Sequence, residues 1–216
     1  MLAVTIGIGD GWDRAANTAA MLVRKFTGLP TAVISRDEIG APHPSFLKLH
    51  IPAMFPDHAE FLYFDSDIIM RQHWSPEYIF ADSGRPFIGV PDVRSDAVFQ
   101  ECNRFGLPFP DWYLNAGLLI FGREHAPILR SAYDAGQVGS WLEQTGLNIA
   151  LLKSRAEILR LPRTFNTLLW PGIDDCTSQE LQRRPEKVLH AASLGGDVSK
   201  LLAIQSAFLG DVSAIA

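Results

Sequence analysis

Residues 61–70 read FLYFDSDIIM, an apolar run that ends in two carboxylates separated by one small residue. A strand this apolar is typical of a sheet that is covered on both faces, as in α/β proteins. Asp65 and Asp67 are then expected at the carboxyl edge of the sheet, where such folds bind their ligands. Alternation along an extended chain points both side chains the same way. Two converging carboxylates suit Mg²⁺ or Mn²⁺, with the remaining positions left to phosphate and water.

The same three residues are also compatible with a purely structural role. Asp and Ser side chains hydrogen-bond their own backbone in turns, so Asp65-Ser66-Asp67 could be a tight turn after the strand. They could also cap a helix that begins near Ser75. Taken alone, the stretch does not decide between a metal site and turn chemistry.

The segments around this stretch predict an α/β domain whose central sheet is mostly parallel and flanked by helices. Residues 2–8 and 31–35 are β-branched and apolar, and alanines at helical spacing lie between them. That order is a βαβ unit, whose two strands run parallel. Further strands are predicted at 87–90, 114–121, 158–161 and 187–190, and further helices at 44–55 and 141–153. Pro52 is expected to kink or shorten the first of these helices. Without repeats or linkers, 1–216 is predicted to be a single domain.

Composition narrows the function classes. The chain has 216 residues, 47% of them hydrophobic and 20% charged, as in an ordinary globular protein. Its net charge of −5 argues against a general nucleic-acid binder. Cys102 and Cys176 form no metal-binding pair, and no secretory signal precedes the first strand, so we expect free thiols and a cytoplasmic location. No segment approaches the length of a membrane span, although peripheral membrane contact stays open.

The first turn, GIGDGW, is a candidate nucleotide contact. It lacks the GxGxxG order of dinucleotide-binding proteins, and the chain has no P-loop. The backbone of Gly7 and Ile8 could still approach a nucleotide while Trp12 stacks on its base. A flexible turn with a packed indole is equally compatible with these residues.

Polar residues at three later positions are further candidates. Asn115 precedes two small residues and an apolar strand, which either lets a ligand approach the backbone or marks a bulge. Gln144 and Asn148 share one face of a predicted helix, where spacing alone favours a solvated stripe over a cleft. His190 ends the run KVLH before small residues, so it could ligate Mn²⁺ or be an ordinary core or surface histidine.

In this order the motifs resemble GT-A-fold glycosyltransferases, and in particular glycosyltransferase family eight, which includes glycogenin and bacterial lipopolysaccharide galactosyl- and glucosyltransferases. The resemblance covers about residues 2–195 and rests on the following segments: PSFLKLHIPAMFP with Lys48, FLYFDSDIIM, YLNAGLLIF (113–121), EQTGLN (143–148), LPRTFN (161–166) and VLH (188–190). The chain departs from the family at Glu143, where Asp is usual, and at Lys200, which lies further from the histidine than the family's lysine.

The resemblance implies a metal-dependent glycosyltransferase that moves a sugar from a nucleotide-diphosphate sugar, by default a UDP-hexose, with retention. The acceptor could be a glycan, a lipid-linked sugar, a protein or a small molecule. Implied metal ligands for Mn²⁺, or Mg²⁺, are Asp65, Asp67 and His190. Candidate donor-binding residues are Gly7, Ile8 and Trp12 of the first turn together with Lys48, Ser66, Ala116, Gly117 and Asn166. Candidate catalytic residues are Asn115, Glu143 and Gln144.

The sequence leaves the mechanism of transfer open. Gln144 could stabilise a cationic sugar while the acceptor attacks from the side of the leaving group, or Glu143 could act in a double displacement. Two other functions are also compatible with the motifs. One is a catalytically degenerate nucleotide-sugar-binding protein, and the other is a phosphatase of the haloacid dehalogenase type, which also places DxD after an apolar strand.

Overall fold

The structure, a computed structural model, describes residues 1–93, 95–108, 113–136, 138–139, 141–169, 186–192 and 197–210. Its strands are β1 (Leu2–Ile6), β2 (Thr31–Ile34), β3 (Glu60–Phe64), β4 (Ile68–Met70), β5 (Phe87–Pro91), β6 (Leu114–Gly122), β7 (Ile158–Arg160), β8 (Thr167–Leu168) and β9 (Val188–His190). Its α-helices are α1 (Trp12–Thr27), α2 (Ile51–Met54), α3 (Pro76–Asp82), α4 (Asp96–Phe105), α5 (Ala126–Asp134), α6 (Leu142–Ser154) and α7 (Val198–Gly210). Short 3-10 helices cover Pro44–His50, Arg123–His125 and Arg163–Phe165.

Six strands form the main sheet in the order β2-β1-β3-β6-β5-β7. β1 pairs in parallel with β2 and β3, and β5 pairs in parallel with β7. β6 is antiparallel to both of its neighbours, β3 and β5. Five strands therefore run one way and β6 runs the other. The predicted α/β fold, with a mostly parallel sheet flanked by helices, is confirmed.

The apolar run of β3 is buried on both faces of this sheet, as its composition indicates. Leu62 and Phe64 belong to the core that also contains the buried side of α1. Phe61 and Tyr63 face the opposite core, which includes the 3-10 segment before α2 and the apolar residues of α6. Each fully buried side chain of this size contributes roughly 1.5–3 kcal/mol of transfer free energy. This burial fixes the end of β3, and with it the position of Asp65.

The chain leaves the main sheet at the turn after β3. Ile68 N donates to Asp65 O at 3.2 Å, which closes a tight turn, and Asp65 N donates to Gly117 O of β6 at 2.9 Å. The next residues form β4, which pairs antiparallel with β9 in a small sheet of order β4-β9-β8. The turn interpretation is therefore correct for the backbone, and it leaves the two carboxylates free for other contacts. Capping is wrong as an interpretation, because Ser75 holds the N-cap position of α3.

The polar stripe of α6 faces inward, contrary to the solvated face that its spacing favours. Glu143, Gln144 and Asn148 are 7%, 8% and 0% exposed. Asn148 Nδ2 donates to Leu114 O at 2.9 Å, and its Oδ1 accepts from Leu114 N at 2.8 Å. Helical spacing misleads here because the stripe meets the backbone at the start of β6 and the side chains of Lys48, Ser45 and Asp92, so its partners are protein groups rather than water.

The remaining local predictions compare with the structure as follows. The predicted helix at 44–55 is a 3-10 helix followed by the four-residue α2, with Pro52 in the first turn of α2. β6 carries the bulge that the small residues allow, because Gly89 pairs with Leu119 while Val90 pairs with Asn115. Helices α4, α5 and α7 were not predicted.

Cys102 is a buried free thiol, as expected, and Cys176 lies outside the described residues. Within the described residues, no helix combines the length and apolar character needed to cross a membrane.

Candidate metal and donor site

Three side chains with metal-ligating atoms converge where the two sheets meet. Asp65 follows β3, Asp67 ends the turn, and His190 ends β9. His190 Nε2 lies 3.1 Å from Asp67 Oδ1 and 3.7 Å from Asp65 Oδ2. One ligand atom from each residue lies within 4.8 Å of the others. These residues form the triad, and the structure brings together all three predicted metal ligands.

The donor set of the triad fits a divalent cation. Asp67 Oδ1 is buried, its contact with His190 does not have hydrogen-bond geometry, and no described residue donates a hydrogen bond to it. Burial alone would raise the pKa of Asp67, yet His190 outweighs burial and holds that pKa below its usual value. Burial alone would lower the pKa of His190, and Asp67 and then Asp65 raise it above the usual value. The charges of the two carboxylates and of the imidazole thus influence one another. Two carboxylates and one imidazole also supply oxygen and nitrogen ligand atoms that suit Mn²⁺ or Mg²⁺.

A chain of hydrogen bonds sets the tautomer of His190. Gly117 N donates to Asn115 Oδ1 at 2.9 Å, and a backbone N–H can only donate, so this Asn115 atom is the carbonyl oxygen. Asn166 Nδ2 donates to the same oxygen at 2.8 Å, which leaves Asn166 Oδ1 as the acceptor that faces His190 Nδ1 at 2.9 Å. His190 Nδ1 therefore carries the proton. The lone pair of the neutral ring is on Nε2, the atom that points at the carboxylates.

Gly117 is the residue that makes room for this imidazole. A Cβ at Gly117 would lie 2.3 Å from His190 Cε1 and 2.9 Å from Asn115 Oδ1. The sequence suggested that small residues here let a ligand approach the backbone. At Gly117, the position of the His190 ring already explains why the residue has no side chain. Gly7 is similar, because a Cβ there would lie 2.5 Å from Ala16 Cβ in the β1–α1 packing.

Lys48 lies on the other side of Asp65 and is only 2% exposed. Its Nζ is 3.2 Å from Asp65 Oδ1 and 2.9 Å from Glu143 Oε1, and it donates to Ala116 O at 3.2 Å. Burial disfavours the ammonium, but the two carboxylates more than offset burial and raise the pKa of Lys48. Tyr63 also donates its hydroxyl hydrogen to Asp65 Oδ1. We call Lys48, Tyr63, Glu143 and Ser45, with Asp65 Oδ1, the lysine cluster.

Glu143 has both carboxylate oxygens engaged in this cluster. Oε1 pairs with Lys48, and Oε2 accepts from Ser45 Oγ at 2.6 Å. Burial would raise the pKa of Glu143, but Lys48 and the Ser45 hydrogen bond hold it below the usual value. The negative charge of Glu143 is therefore balanced locally by the ammonium of Lys48.

Gln144 is held from both ends of its amide. Ala116 N donates to Gln144 Oε1 at 2.9 Å, and Gln144 Nε2 donates to Asp92 Oδ2 at 2.8 Å. Asn115 Nδ2 lies 3.5 Å from the same Asp92 oxygen. Asp92 was not a sequence candidate, although it follows the apolar strand β5 just as Asp65 follows β3. That shared pattern was a usable signal, because both strands end at the same edge of the sheet.

Two cavities meet at the aspartates. The first has a volume of about 280 Å³, and the second has a volume of about 370 Å³. Asp65 and Asp67 line both. Of the other predicted residues, those that line the first cavity are Ile8, Trp12 and Ser66. Those that line the second are Lys48, Asn115, Ala116, Glu143, Gln144 and His190. Gly7, Gly117 and Asn166 instead support these residues through the packing and hydrogen bonds described above.

Further residues that line the cavities were not sequence candidates. His43, Pro44 and Ser45 of the segment before Lys48 line the first cavity, and Trp141 lines the second. Tyr63 had a recognisable signal, since it is two residues before Asp65 and shares its face of the strand. Lys200 is exposed, and its Nζ lies 4.0 Å from Asp197 Oδ2.

Comparison by sequence gives no relatives: no family model matches the chain, and no curated protein matches it. Solved structures match it by fold. The bifunctional glycosyltransferase WbbM superposes with a TM-score of 0.64 at 12% identity, over 95% of this chain and 49% of that one, so this chain spans about half of WbbM. The galactosyltransferase LgtC, solved with donor and acceptor sugar analogues, gives a TM-score of 0.60 at 15% identity over 95% of both chains. Mouse xyloside xylosyltransferase 1 gives 0.57 at 11% identity, over 88% of this chain and 98% of that one. The chain therefore has the GT-A glycosyltransferase fold.

Proposed function

We propose that the protein is a metal-dependent glycosyltransferase of the family-eight type, which transfers a hexose from a UDP-sugar to an acceptor with retention of configuration. The observation that carries this proposal is the position of the triad between two cavities that share Asp65 and Asp67. A nucleotide-diphosphate sugar has the matching arrangement, with a base at one end, a sugar at the other and a charged diphosphate between them.

The chemistry of each cavity supports this orientation of the donor. The first is lined by Ile6, Ile8 and the indole of Trp12, which suit a planar base and its ribose. The second presents Asn115, Gln144 and Asp92, whose amide and carboxylate groups suit sugar hydroxyls. We therefore assign the nucleoside to the first cavity and the sugar to the second.

When bound at the triad, Mn²⁺ or Mg²⁺ would act as a Lewis acid that stabilises the negative charge of the departing diphosphate. The chain's own residues perform the remaining tasks. Lys48 holds a fixed positive charge beside Asp65, and its burial keeps that charge poorly screened. Asn166 keeps the Nε2 lone pair of His190 directed toward Asp65 and Asp67. Gln144, fixed by Ala116 N and Asp92, presents an amide beside the sugar cavity.

The state of Glu143 favours attack by the acceptor from the leaving-group side over a double displacement. A carboxylate nucleophile needs an oxygen that can turn toward the sugar, and it needs appreciable basicity. Both Glu143 oxygens are engaged by Lys48 and Ser45, and the pKa of Glu143 is lowered. We therefore assign to Glu143 the task of holding Lys48, and we place the stabilisation of the cationic sugar on Gln144. The fold does not support the phosphatase alternative, since the matching structures described above are glycosyltransferases.

The test is a thermal-shift panel of nucleotide-sugars with and without Mn²⁺, followed by measurement of sugar release from each nucleotide-sugar that stabilises the protein. We expect UDP-hexoses to raise the melting temperature only when Mn²⁺ is present, and Mn²⁺-dependent release of UDP to follow. Asp82→Asn, a change at an exposed acid away from the site, is the matched control and should behave as the wild type. Tight binding without turnover would support the non-catalytic binder, and release of phosphate from phosphomonoesters would support the phosphatase.

A further inference from the structure

Helix α7 has one polar side chain buried in an otherwise apolar contact. The helix packs against α1, and its residues Leu201, Leu202, Ile204 and Phe208 join the core on that face of the main sheet. Gln205 lies among them and is 0% exposed. An amide at this position therefore gives up its contact with water and needs a partner within the protein.

The partner of Gln205 is the turn that carries the two aspartates. Gln205 Nε2 donates to Ser66 O at 2.9 Å. Because a carbonyl oxygen can only accept, this contact fixes which end of the amide faces the turn. The Ser66 peptide stands between Asp65 and Asp67, so the bond restrains the backbone from which both carboxylates project.

The other end of the Gln205 amide has no such partner. Gln205 Oε1 is buried, and none of the described residues donates a hydrogen bond to it. A buried acceptor without a donor lowers stability, and a methionine or leucine of similar volume would avoid that cost. Glutamine here is therefore a poor choice for packing alone, which points to a task at the turn.

The same helix also touches the loop on the far side of the first cavity. A Cβ at Gly11 would lie 2.9 Å from Val198 Cγ1, so the side chain of Val198 packs directly against the Gly11 backbone. Gly11 precedes Trp12, which lines the first cavity together with Ser66. Helix α7 thus contacts both the loop before α1 and the turn after β3, two parts of the chain that enclose the first cavity.

We propose that Gln205 is a positioning residue of the metal site, which holds the Ser66 carbonyl so that Asp65 and Asp67 stay converged on His190. This inference rests on the metal site of the proposed function. Groups that orient metal ligands in this way typically change metal affinity about 10- to 100-fold when removed. A single hydrogen bond to the backbone of the turn belongs at the lower end of that range.

The experiment measures Mn²⁺ binding to the full chain by electron paramagnetic resonance of free Mn²⁺, without nucleotide-sugar, together with melting in EDTA. Gln205→Met should weaken Mn²⁺ binding about tenfold, while the melting temperature in EDTA stays at or above that of the wild type. Gln205→Leu, a second apolar variant, should behave in the same way. Leu202→Ala on the same helix is the matched control, and it should lower the melting temperature without changing Mn²⁺ affinity.

Opposed changes in affinity and stability distinguish positioning from packing. Wild-type Mn²⁺ affinity in both Gln205 variants would overturn the inference while leaving the metal site in place. A Gln205→Met protein that no longer folds in EDTA would also overturn it, because the inference requires the apolar replacement to be tolerated. If the wild type binds no Mn²⁺, the proposed metal site fails and the inference fails with it.

Discussion

Asp65 separates two acidic clusters that differ in how their charges are balanced. On one side, Asp65 Oδ1 and Glu143 share the ammonium of Lys48, with further donors from Tyr63 and Ser45. In the triad on the other side, Asp65 Oδ2 is 3.7 Å from the imidazole of His190, and Asp67 Oδ1 is buried without a hydrogen bond from any described residue. The lysine cluster contains a lysine ammonium, whereas the triad contains an imidazole, which is a cation only when it is protonated.

From this difference we expect that the lysine cluster maintains the fold and that the triad binds a ligand. A buried carboxylate that is paired and hydrogen-bonded contributes to a unique structure, and breaking such a pair is costly. Acceptors that converge without enough donors are retained at functional sites, where a ligand completes them. We therefore expect substitutions in the lysine cluster to act mainly on stability and substitutions in the triad to act mainly on metal binding.

The largest effect is expected for Asp67→Asn. The change keeps the shape of the side chain but removes one of the two carboxylates of the triad, so Mn²⁺ affinity should fall by more than about 100-fold, and Mn²⁺-dependent turnover should be lost. Asp67 also balances the imidazole of His190, so the change should lower the free energy of unfolding in EDTA, but by less than the loss of a buried lysine would, because an imidazole can give up its proton. Calorimetric titration and denaturant unfolding measure the two quantities. A variant that keeps wild-type Mn²⁺ affinity would remove the distinction between the clusters.

Lys48→Met is the corresponding change in the lysine cluster. It leaves Asp65 and Glu143 buried without their cation, and breaking a buried ion pair in this way costs about 3–5 kcal/mol. Urea unfolding in EDTA should show this loss. The double variant Lys48→Met with Glu143→Gln should recover part of it, because the second change removes a buried charge left without a partner. A stability loss below about 1 kcal/mol would show that the pair is not structural.

Asn166→Ala tests the tautomer of His190. Without the Asn166 carbonyl, the proton of the imidazole is no longer held on Nδ1, and Mn²⁺ affinity should fall about 10- to 100-fold. Asn166→Asp is the matched control, since it keeps an acceptor for Nδ1 and should retain more of the affinity than the alanine variant. Equal loss in both variants would mean that Asn166 acts through Asn115 rather than through His190.

The smallest effect is a pH dependence that originates in the lysine cluster. The folded state holds the pKa of Glu143 below its unfolded value of 4.5, so its contribution to stability is fully present above pH 4.5. That contribution is lost as the pH falls through the folded pKa, because the unfolded state then binds the proton first. Acid unfolding of the metal-free wild type and of Glu143→Gln should therefore differ, with a shallower loss of stability below pH 4.5 in the variant. Identical slopes would contradict the lowered pKa.

How far the sequence predicted the fold and the site depended on the kind of pattern involved. The strand at 61–64 and the βαβ unit before it were predictable, because burial on both faces and helical spacing are local properties of the chain. Alternation along an extended chain predicted that Asp65 and Asp67 point the same way, but the two residues lie in a tight turn, so their approach to each other comes from that turn rather than from alternation. The buried stripe of Glu143, Gln144 and Asn148 was not, since spacing records which residues share a face but not what that face meets. Gln205 depends on a contact between distant segments, which no local pattern contains. Asp92 was missed although the apolar strand before it was a usable signal.

The same distinction applies to the predicted site residues, because a local pattern predicts that a residue belongs to the site but not what the residue does there. Sequence motifs predicted the residues around the two cavities, and the structure brings most of them together. For Gly117 and Asn166, the contact that explains the residue is with His190, which lies 73 and 24 positions away in the chain. A motif shows that a residue belongs to a site, but only the neighbours in space show what it does there.

The pairing of β4 with β9 also has a consequence for the order in which the protein is made. β9 is the middle strand of the small sheet, and it reaches β4 only after residues 188–190 have been synthesised. Until then, β4 and β8 lack the strand that joins them, and Asp65 and Asp67 lack His190. The main-sheet strands β1, β2, β3, β5, β6 and β7 precede that point in the chain. A nascent chain therefore contains all the described strands of its main sheet before it can complete the triad, so we expect that it gains any affinity of the triad for metal only after β9 has been made.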